Sequence, residues 1–226
     1  MSILEQMYRI IDDIEGGYYH PDMKSKLRNG ERMLDSGETM FGLDRKAGAP
    51  RVTTDTADGV EFWKIIDKYY GNHHGDTAYY GDKADGKKSD IPASVGKELK
   101  KLACRIQLYS FNDYSKYLSD AAKKIVNKNP KLLFQFIYAT WNGSGNFQNF
   151  AKTVNNAVAS GNTNPDALYE IVQKARRAKG GLFAEGADKL DIIVKDFKNN
   201  KLWWIIGITV AVIGIFAFSN SKTELV

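Results

Sequence analysis

The stretch Ile14-Glu15-Gly16-Gly17-Tyr18 places one carboxylate beside two glycines at the end of an apolar helical pattern. The residues that form this pattern recur at helical spacing and are Ile3, Leu4, Met7, Tyr8, Ile10, Ile11 and Ile14. Glu15 follows the flank of the stripe, whereas Asp12 and Asp13 fall on the opposite side. Desolvation beside apolar side chains and the negative end of the helix dipole are both expected to raise the pKa of the Glu15 carboxyl. A carboxyl that stays protonated near neutral pH can act as a general acid.

The helix that carries Glu15 has its own start and stop signals. Ser2 and Glu5 have the spacing of a capping box, so the helix can begin almost at the first residue. Gly16 and Gly17 are expected to end it, because glycine tolerates left-handed conformations and close backbone approach. In a second interpretation, Glu15 is only a helix-terminal residue that borders the core and points to solvent. The stretch alone does not decide between the two interpretations.

The elements that must position Glu15 are mainly helical. Residues 18–37 are polar and are expected to be irregular, whereas residues 37–44 (GETMFGLD) favour a short strand or a tight loop. Apolar periodicity and cap signals such as Asn129-Pro130 and Asn164-Pro165 predict helices at 60–71, 92–109, 112–127, 131–141, 146–158 and 165–179, and one more after Gly180-Gly181. The predicted fold class is therefore mainly α, with a small β-region around 36–56.

Composition and charge narrow the function classes. The 226 residues are 43% hydrophobic and 26% charged, which is ordinary for a globular protein. The net charge of +5 suits a polyanionic surface such as cell wall or phospholipid headgroups. Residues 82–131 are rich in Lys and Arg but carry no nucleic-acid fold signature, so no nucleic-acid partner is expected. Cys104 is the only cysteine, which excludes an intrachain disulfide and favours a small buried side chain.

Histidines are too few to favour a metal site. His73 and His74 are adjacent, so in a strand they would point to opposite faces, and no cysteine accompanies them. We therefore expect neither a metal nor another cofactor.

The C-terminal segment has the properties of a membrane anchor. Residues 202–218 (LWWIIGITVAVIGIFAF) carry no charge, and at ~1.5 Å per residue a helix of this length spans roughly 25 Å. Trp203 and Trp204 stand at one edge, where interfacial aromatic residues occur. The predicted organisation is a domain at 1–180, an amphipathic connecting helix or linker at 181–201, a transmembrane helix at 202–218 and a tail at 219–226.

Three motifs resemble the lysozyme-like superfamily. Glu15-Gly16-Gly17 is followed by Gly37-Glu38-Thr39-Met40-Phe41-Gly42-Leu43, and later by Trp141-Asn142-Gly143-Ser144-Gly145. The first two are similar, in this order, to phage and bacterial muramidases with an E-G-G motif followed by G-x-T-x-x-G-[IL]. The third is similar to the W-N-G-x-G turn of many phage peptidoglycan-degrading domains. The resemblance covers roughly residues 1–175 and implies a lysozyme-like fold for the domain at 1–180.

The resemblance also implies roles for individual residues. Glu15 would be the catalytic acid, and Thr39 would face it across the cleft and hold a water or a sugar group. The further residues expected to contact the glycan are Tyr18, Glu38, Phe41, Gly42, Trp141 and Asn142. For Thr39 an ordinary strand position, and for Trp141 a place in the core, remain the alternatives.

The sequence does not identify a second catalytic carboxylate. Many phage lysozymes have an aspartate between the glutamate and the threonine, and here Asp22, Asp35 and Glu38 are candidates without a decisive spacing. Hydrolysis with two carboxylates needs one of them within roughly 5 to 9.5 Å of the acid. A lytic transglycosylase needs only the acid, because the substrate's own hydroxyl attacks and forms an anhydro-sugar. Both reactions stay open.

The prediction is a membrane-anchored glycosidase that cleaves the MurNAc-GlcNAc bond of peptidoglycan. Its partners would be glycan strands, membrane lipid through residues 202–218, and other virion membrane or capsid proteins. The anchor favours a phage virion component that opens the cell wall during genome entry, located in the virion membrane and the host cell envelope. The alternatives are a non-catalytic structural or adaptor protein of a virion, and a membrane-bound factor that recruits acidic partners.

Overall fold

The described part of the chain is mainly helical, which confirms the predicted helical class. The computed structural model describes residues 3–15, 18–19, 27–28, 31–32, 39–45, 56–70 and 92–195. The chain divides into two compact units: an N-terminal unit, Leu4–Ser110, and a C-terminal unit, Phe111–Val226 together with Met1–Ile3.

The helices are α1 (Ile3–Ile10), α2 (Ala57–Tyr70), α3 (Ala93–Tyr114), α4 (Asp120–Lys128), α5 (Pro130–Ala139), α6 (Gly143–Ala159), α7 (Pro165–Arg177) and α8 (Gly181–Lys195). A π-helical turn, Ile11–Glu15, continues α1, and 3₁₀ turns lie at Ser115–Tyr117 and Thr140–Asn142. Among the helices of the described ranges, none is both long and apolar enough to cross a membrane. The predicted transmembrane helix at 202–218 and the tail at 219–226 lie outside those ranges.

Two small antiparallel sheets belong to the N-terminal unit. Their strands are β1 (Tyr18–Tyr19), β2 (Leu27–Arg28), β3 (Glu31–Arg32), β4 (Thr39–Met40) and β5 (Leu43–Asp44). The first sheet has the order β1-β4-β5, and β2 pairs with β3. Strands β4 and β5 fall within the range 36–56 predicted for the β-region, whereas β1, β2 and β3 lie in the stretch that we expected to be irregular.

The core of the N-terminal unit is built from α1, the β4-β5 hairpin, α2 and α3. Its fully buried side chains follow the helical and strand periods of these elements and include Met7, Ile10, Leu43, Phe62, Ile66, Leu99 and Ile106. Burial of such a set removes apolar surface from water, which is the dominant favourable contribution to folding.

Charged side chains of α2 connect it to its neighbours. Asp58 accepts two hydrogen bonds from Arg105 of α3, at 2.9 Å from Nε and 2.6 Å from Nη2. Asp67 accepts from Arg45, which directly follows β5 and leaves only 7% of its side chain exposed. The Arg45 guanidinium also lies 4.5 Å from the centre of the Trp63 ring. These bidentate pairs have the fork geometry that makes Arg–carboxylate contacts directional.

Cys104 is completely buried in α3, as predicted. Burial raises the pKa of its thiol far above the ordinary value, and this effect outweighs the opposing influence of Lys100. A thiol in such surroundings is a packing residue rather than a nucleophile.

The C-terminal unit is a bundle of α4 to α8 in which each helix packs against its neighbours in the chain. The predicted caps at Asn129 and Asn164 are confirmed: the Asn129 side chain accepts from the Leu132 amide, and Asn164 accepts from the Asp166 and Ala167 amides. A proline at the first helical position follows each asparagine, where its missing N–H costs nothing.

The prediction of a helix at 112–127 is wrong. Helix α3 continues through Tyr114, and the break comes at the 3₁₀ turn and the extended residue Leu118. Helix α4 then begins after Ser119, whose hydroxyl accepts a hydrogen bond from the Ala122 amide. This cap fixes the start of α4. A serine hydroxyl can accept a hydrogen bond from a backbone amide, so serine is favoured at helix starts and not in helix interiors.

A polar network joins α7 to α8, the helix found within the range 181–201. Asp191 of α8 accepts hydrogen bonds from the Tyr169 hydroxyl and from Gln173, both at 2.7 Å, and from Arg177. Burial by itself would raise the pKa of the Asp191 carboxyl, but these donors outweigh it and the pKa is lowered. Burial and the bond to Asp191 raise the pKa of the Tyr169 hydroxyl.

A close approach between α8 and α5 occurs at Gly186. A Cβ atom at this position would clash with the hydroxyl oxygen of Tyr138, a side chain that is 2% exposed. The guanidinium of Arg176 lies over the Tyr138 ring at 4.4 Å, so the ring is enclosed on this side as well. There is therefore no room for a side chain at position 186 without a shift of Tyr138.

We expect Gly186→Ala to destabilise the C-terminal unit by about 1–3 kcal/mol, because the enclosed Tyr138 cannot yield without repacking. Gly145→Ala is the matched control: Gly145 is a helical glycine with no atom near its Cβ position, so alanine should stabilise by about 0.5–1 kcal/mol. Urea unfolding of the full chain measures both. A Gly186→Ala chain as stable as the Gly145→Ala chain would contradict the packing described here.

We expect Asp191→Asn to weaken the chain at pH 7 by about 1–2 kcal/mol and to have less effect in acid. The pKa of Asp191 is lower in the folded chain than its ordinary value of 3.8, so its stabilisation is complete above that value and is lost as pH falls through the folded pKa. Unfolding midpoints between pH 7 and pH 2 measure this loss. Asp188→Asn is the control, since Asp188 is an exposed partner of the same Arg177. Parallel pH profiles for wild type and Asp191→Asn would exclude the effect.

Candidate active site

Glu15 lies at the last position of the π-helical turn, half-buried. In a π-helix residue i bonds to i+5, so Glu15 lies one turn above Ile10, which is fully buried. Asp12 and Asp13 of the same turn are exposed, and Asp12 forms an ion pair with Lys100. Of the three acids in this turn, Glu15 is therefore the least exposed, although the turn is π-helical and not the α-helix that the sequence predicted.

The strand that follows Glu15 pairs with the strand that carries Thr39. The register places Tyr18 opposite Met40 and Tyr19 opposite Thr39. Four residues of chain span at most about 14 Å and paired Cα atoms lie about 5 Å apart, so the Cα atoms of Glu15 and Thr39 are within roughly 20 Å. The structure thus pairs the strand that follows the first motif with a strand of the second motif.

The turn between β4 and β5 consists of Phe41 and Gly42. Both have positive φ, 54° and 69°, which is the pattern of a type I′ turn. A left-handed conformation is uncommon for a bulky residue such as phenylalanine and is found where the surroundings enforce it. The Phe41 ring is 6% exposed and tilted against Phe62 at 6.5 Å, so it contributes to the core of the N-terminal unit.

The sequence motifs did not single out Asp44, which pairs with Thr39 in the sheet. The β4-β5 register places Asp44 opposite Thr39, so Tyr19, Thr39 and Asp44 form one row across the sheet. The neighbouring row contains Met40 and Leu43, which are buried. The sequence could have predicted this row only if the pairing register of the β4-β5 hairpin had been known. The earlier candidates Asp22, Asp35 and Glu38 lie outside the described residues.

The third motif lies in the C-terminal unit, between α5 and α6. Trp141 is buried and Asn142 is half-buried, and both belong to the 3₁₀ turn that ends α5. The carbonyl of Asn142 accepts from Asn146 at 2.7 Å, and the side-chain Oδ1 accepts from Arg176 at 2.5 Å. Gly143 follows with φ of 80°, a conformation that glycine adopts without strain. Arg176 was missed because it lies outside every motif.

The predicted residues therefore form two groups. Tyr18, Thr39, Phe41 and Gly42 belong to the sheet that follows Glu15 in the N-terminal unit, and Trp141 and Asn142 belong to one turn of the C-terminal unit. Within the ranges that the structure describes, no cluster of three or more His, Cys, Asp or Glu residues could hold a metal ion. His73 and His74 lie outside those ranges.

No protein-family model, curated protein or solved structure matches the chain.

Proposed function

We propose that this protein is a peptidoglycan-degrading glycosidase of lysozyme-like fold in which Glu15 is the general acid. Glu15 protonates the glycosidic oxygen between N-acetylmuramic acid and N-acetylglucosamine. The support comes from two independent lines: the order of the three motifs along the chain, and the chemistry of the residues around the first of them.

The observation that carries the proposal is the position of Glu15 in its turn. It is half-buried, whereas Asp12 and Asp13 are exposed. Partial removal from water disfavours the ionised form of a carboxyl, and a carboxyl that keeps its proton is what cleavage of a glycosidic bond requires. Strand β1, which follows this acid in the chain, pairs with β4, and Thr39 on β4 is a residue with a hydroxyl group.

The location of the activity is the second part of the proposal. The uncharged run 202–218 would anchor the enzyme in a membrane, with its bulk on the N-terminal side. An anchored lytic enzyme acts only on the wall next to its membrane, which suits local opening of the wall by a virion during genome entry. Its partners would be glycan strands, membrane lipid and neighbouring virion proteins.

Glu15→Gln should lower cleavage of purified peptidoglycan by a factor of about 10² to 10⁴, because the amide cannot donate the proton at the transition state. A zymogram and a dye-release assay of the full chain measure the loss. Asp13→Asn is the matched control, since Asp13 lies in the same turn, is exposed and pairs only with Arg9 at 3.6 Å among the described residues. Exposed pairs of this kind contribute little, so the control should fold and cleave normally.

The outcomes separate the proposal from its alternative. Equal activity of Glu15→Gln and wild type would exclude Glu15 as the acid. A folded wild-type chain that binds peptidoglycan without cleaving it would favour the non-catalytic structural or adaptor protein. Mass spectrometry of the products separates the two reactions: anhydro ends indicate a transglycosylase, and reducing ends indicate hydrolysis. If the products have reducing ends, Asp44, which pairs with Thr39 in the sheet, is the first residue to replace in the search for a second carboxylate.

Thr39→Val should lower kcat/KM about tenfold or more while leaving stability nearly unchanged, because valine keeps the shape and strand preference but lacks the hydroxyl. Thr39→Ser restores the hydroxyl and should recover most of the activity. Steady-state kinetics on solubilised peptidoglycan, with thermal unfolding as the folding control, compare the three chains. Full activity of Thr39→Val would show that Thr39 is an ordinary strand residue.

A further inference from the structure

The exposed surface of helix α8 carries an apolar side chain between two lysines. Lys189, Ile192 and Lys195 follow one another at a spacing of three residues, so they lie along one side of the helix, and we call them the α8 stripe. Ile192 is 59% exposed, whereas the next two residues, Ile193 and Val194, are buried in the bundle. Single exposed apolar residues are common on protein surfaces, so the significance of Ile192 depends on what lies beside it.

The acids of α8 leave the two lysines of the stripe without an ion-pair partner in the described part of the chain. Asp188 and Asp191 pair with Arg177 of α7. The third acid of the helix, Glu185, is exposed and lies one turn before Lys189. The stripe therefore presents two positive charges, one on each side of an isoleucine, with a single acid on the neighbouring turn.

The uncharged run 202–218 begins a short distance after α8. Six residues, 196–201, separate Lys195 from Leu202. The seven Cα–Cα steps between these two residues measure at most about 3.6 Å each and together span at most about 25 Å. If residues 202–218 enter a bilayer, as proposed above, the end of α8 lies within about 25 Å of the point of entry. The surface of that membrane is then the partner nearest to the stripe.

The two compact units differ in charge, and the unit that precedes the uncharged run is the positive one. Residues 111–195 contain twelve Lys and Arg residues and seven Asp and Glu residues, which gives a net charge of +5. Residues 4–110 contain seventeen and eighteen, which gives −1. Anionic lipids attract basic segments near a membrane, and salt limits this attraction to about 10 Å at 0.1 M. The charge of the C-terminal unit therefore complements an anionic bilayer.

The side chains of the stripe also suit phospholipid headgroups. A lysine has a long apolar stem and a charged end, so its ammonium group can reach a phosphate while the stem lies against apolar surface. An isoleucine between two such lysines can enter the boundary between headgroups and acyl chains, as the apolar residues of interfacial helices do. Sugar rings commonly stack on aromatic side chains, and the stripe has no aromatic residue. The chemistry thus favours lipid over glycan.

We propose that the α8 stripe docks on the anionic headgroup surface of the membrane that residues 202–218 would enter. This inference rests on the anchor that the proposed function includes, and it does not depend on catalysis. Docking would hold the C-terminal unit against the bilayer in one orientation, whereas an anchor alone would leave it to move at the end of a tether.

The experiment is photo-crosslinking of the full chain in vesicles of phosphatidylcholine and phosphatidylglycerol that contain a lipid with a photoreactive headgroup. Mass spectrometry after pepsin digestion locates the crosslinks. We expect crosslinks in residues 181–195 as well as next to the anchor, and we take the yield in α8 relative to the yield next to the anchor. In vesicles of phosphatidylcholine alone this ratio should fall about fivefold or more, because the anionic headgroups are missing.

Charge reversal of the stripe tests which residues bind. Lys189→Glu with Lys195→Glu should lower the ratio about fivefold or more, and Ile192→Ser should lower it as well. The matched control is Lys124→Glu with Lys128→Glu, which makes the same change of charge at two exposed lysines of α4. The control should keep the wild-type ratio. All of these residues are exposed, so thermal midpoints should stay close to that of wild type.

The failure of this inference differs from the failure of the proposed function. If the wild-type chain does not float with vesicles at high salt, the anchor fails, and this inference fails with it. If the chain floats but α8 is not crosslinked, or if the stripe and control variants have equal ratios, only the inference is overturned. Loss of glycan cleavage in Glu15→Gln chains should leave flotation and crosslinking unchanged, so a failed glycosidase assignment is recognised separately.

Discussion

The ion pair between Arg45 and Asp67 is the constraint on which the proposed catalytic region depends. Arg45 directly follows β5 and is almost completely buried, and Asp67 lies one helical turn after Trp63, whose ring the guanidinium covers. Removing one partner of a buried pair typically costs about 3–5 kcal/mol, because the other charge is left in the interior. The pair fixes β5 to α2, β5 holds β4, and β4 holds the strand that follows Glu15. The position of Thr39 therefore depends on a contact between residues 22 positions apart.

Features set by neighbouring residues could be predicted from the sequence. The caps at Asn129 and Asn164 need only the asparagine, the following proline and the next two amides, and both are present as expected. The half-burial of Glu15 agrees with its predicted place on the flank of the apolar stripe, although its turn is π-helical and not α-helical as expected. The break between α3 and α4 was predicted near residue 112 but lies at residues 115–119, where only the Ser119 hydroxyl marks the start of the next helix. The β2-β3 hairpin was missed although Asn29-Gly30, a strong hairpin signal, lies between the two strands.

Contacts between distant residues could not be predicted in this way. The row Tyr19, Thr39 and Asp44 exists because of a register, and a shift of one residue would replace every member. The left-handed φ of Phe41 is likewise imposed by tertiary structure, since phenylalanine has no preference for it. Arg176 looks like a solvated residue in the basic last turn of α7, yet it is fully buried. Its contact with Asn142 joins residues that are 34 positions apart in the chain, so a local sequence pattern cannot predict it.

The burial of Cys104 also has a practical consequence. The chain has no other cysteine, and the side chain is 0% exposed with its thiol pKa raised by burial. The thiolate form of cysteine attacks maleimides and disulfide reagents, so Cys104 should not react with them at neutral pH while the fold is intact. A cysteine introduced at an exposed position would then carry a fluorophore or spin label alone, without prior removal of the native thiol. Distances between such labels would report directly how the two compact units are arranged.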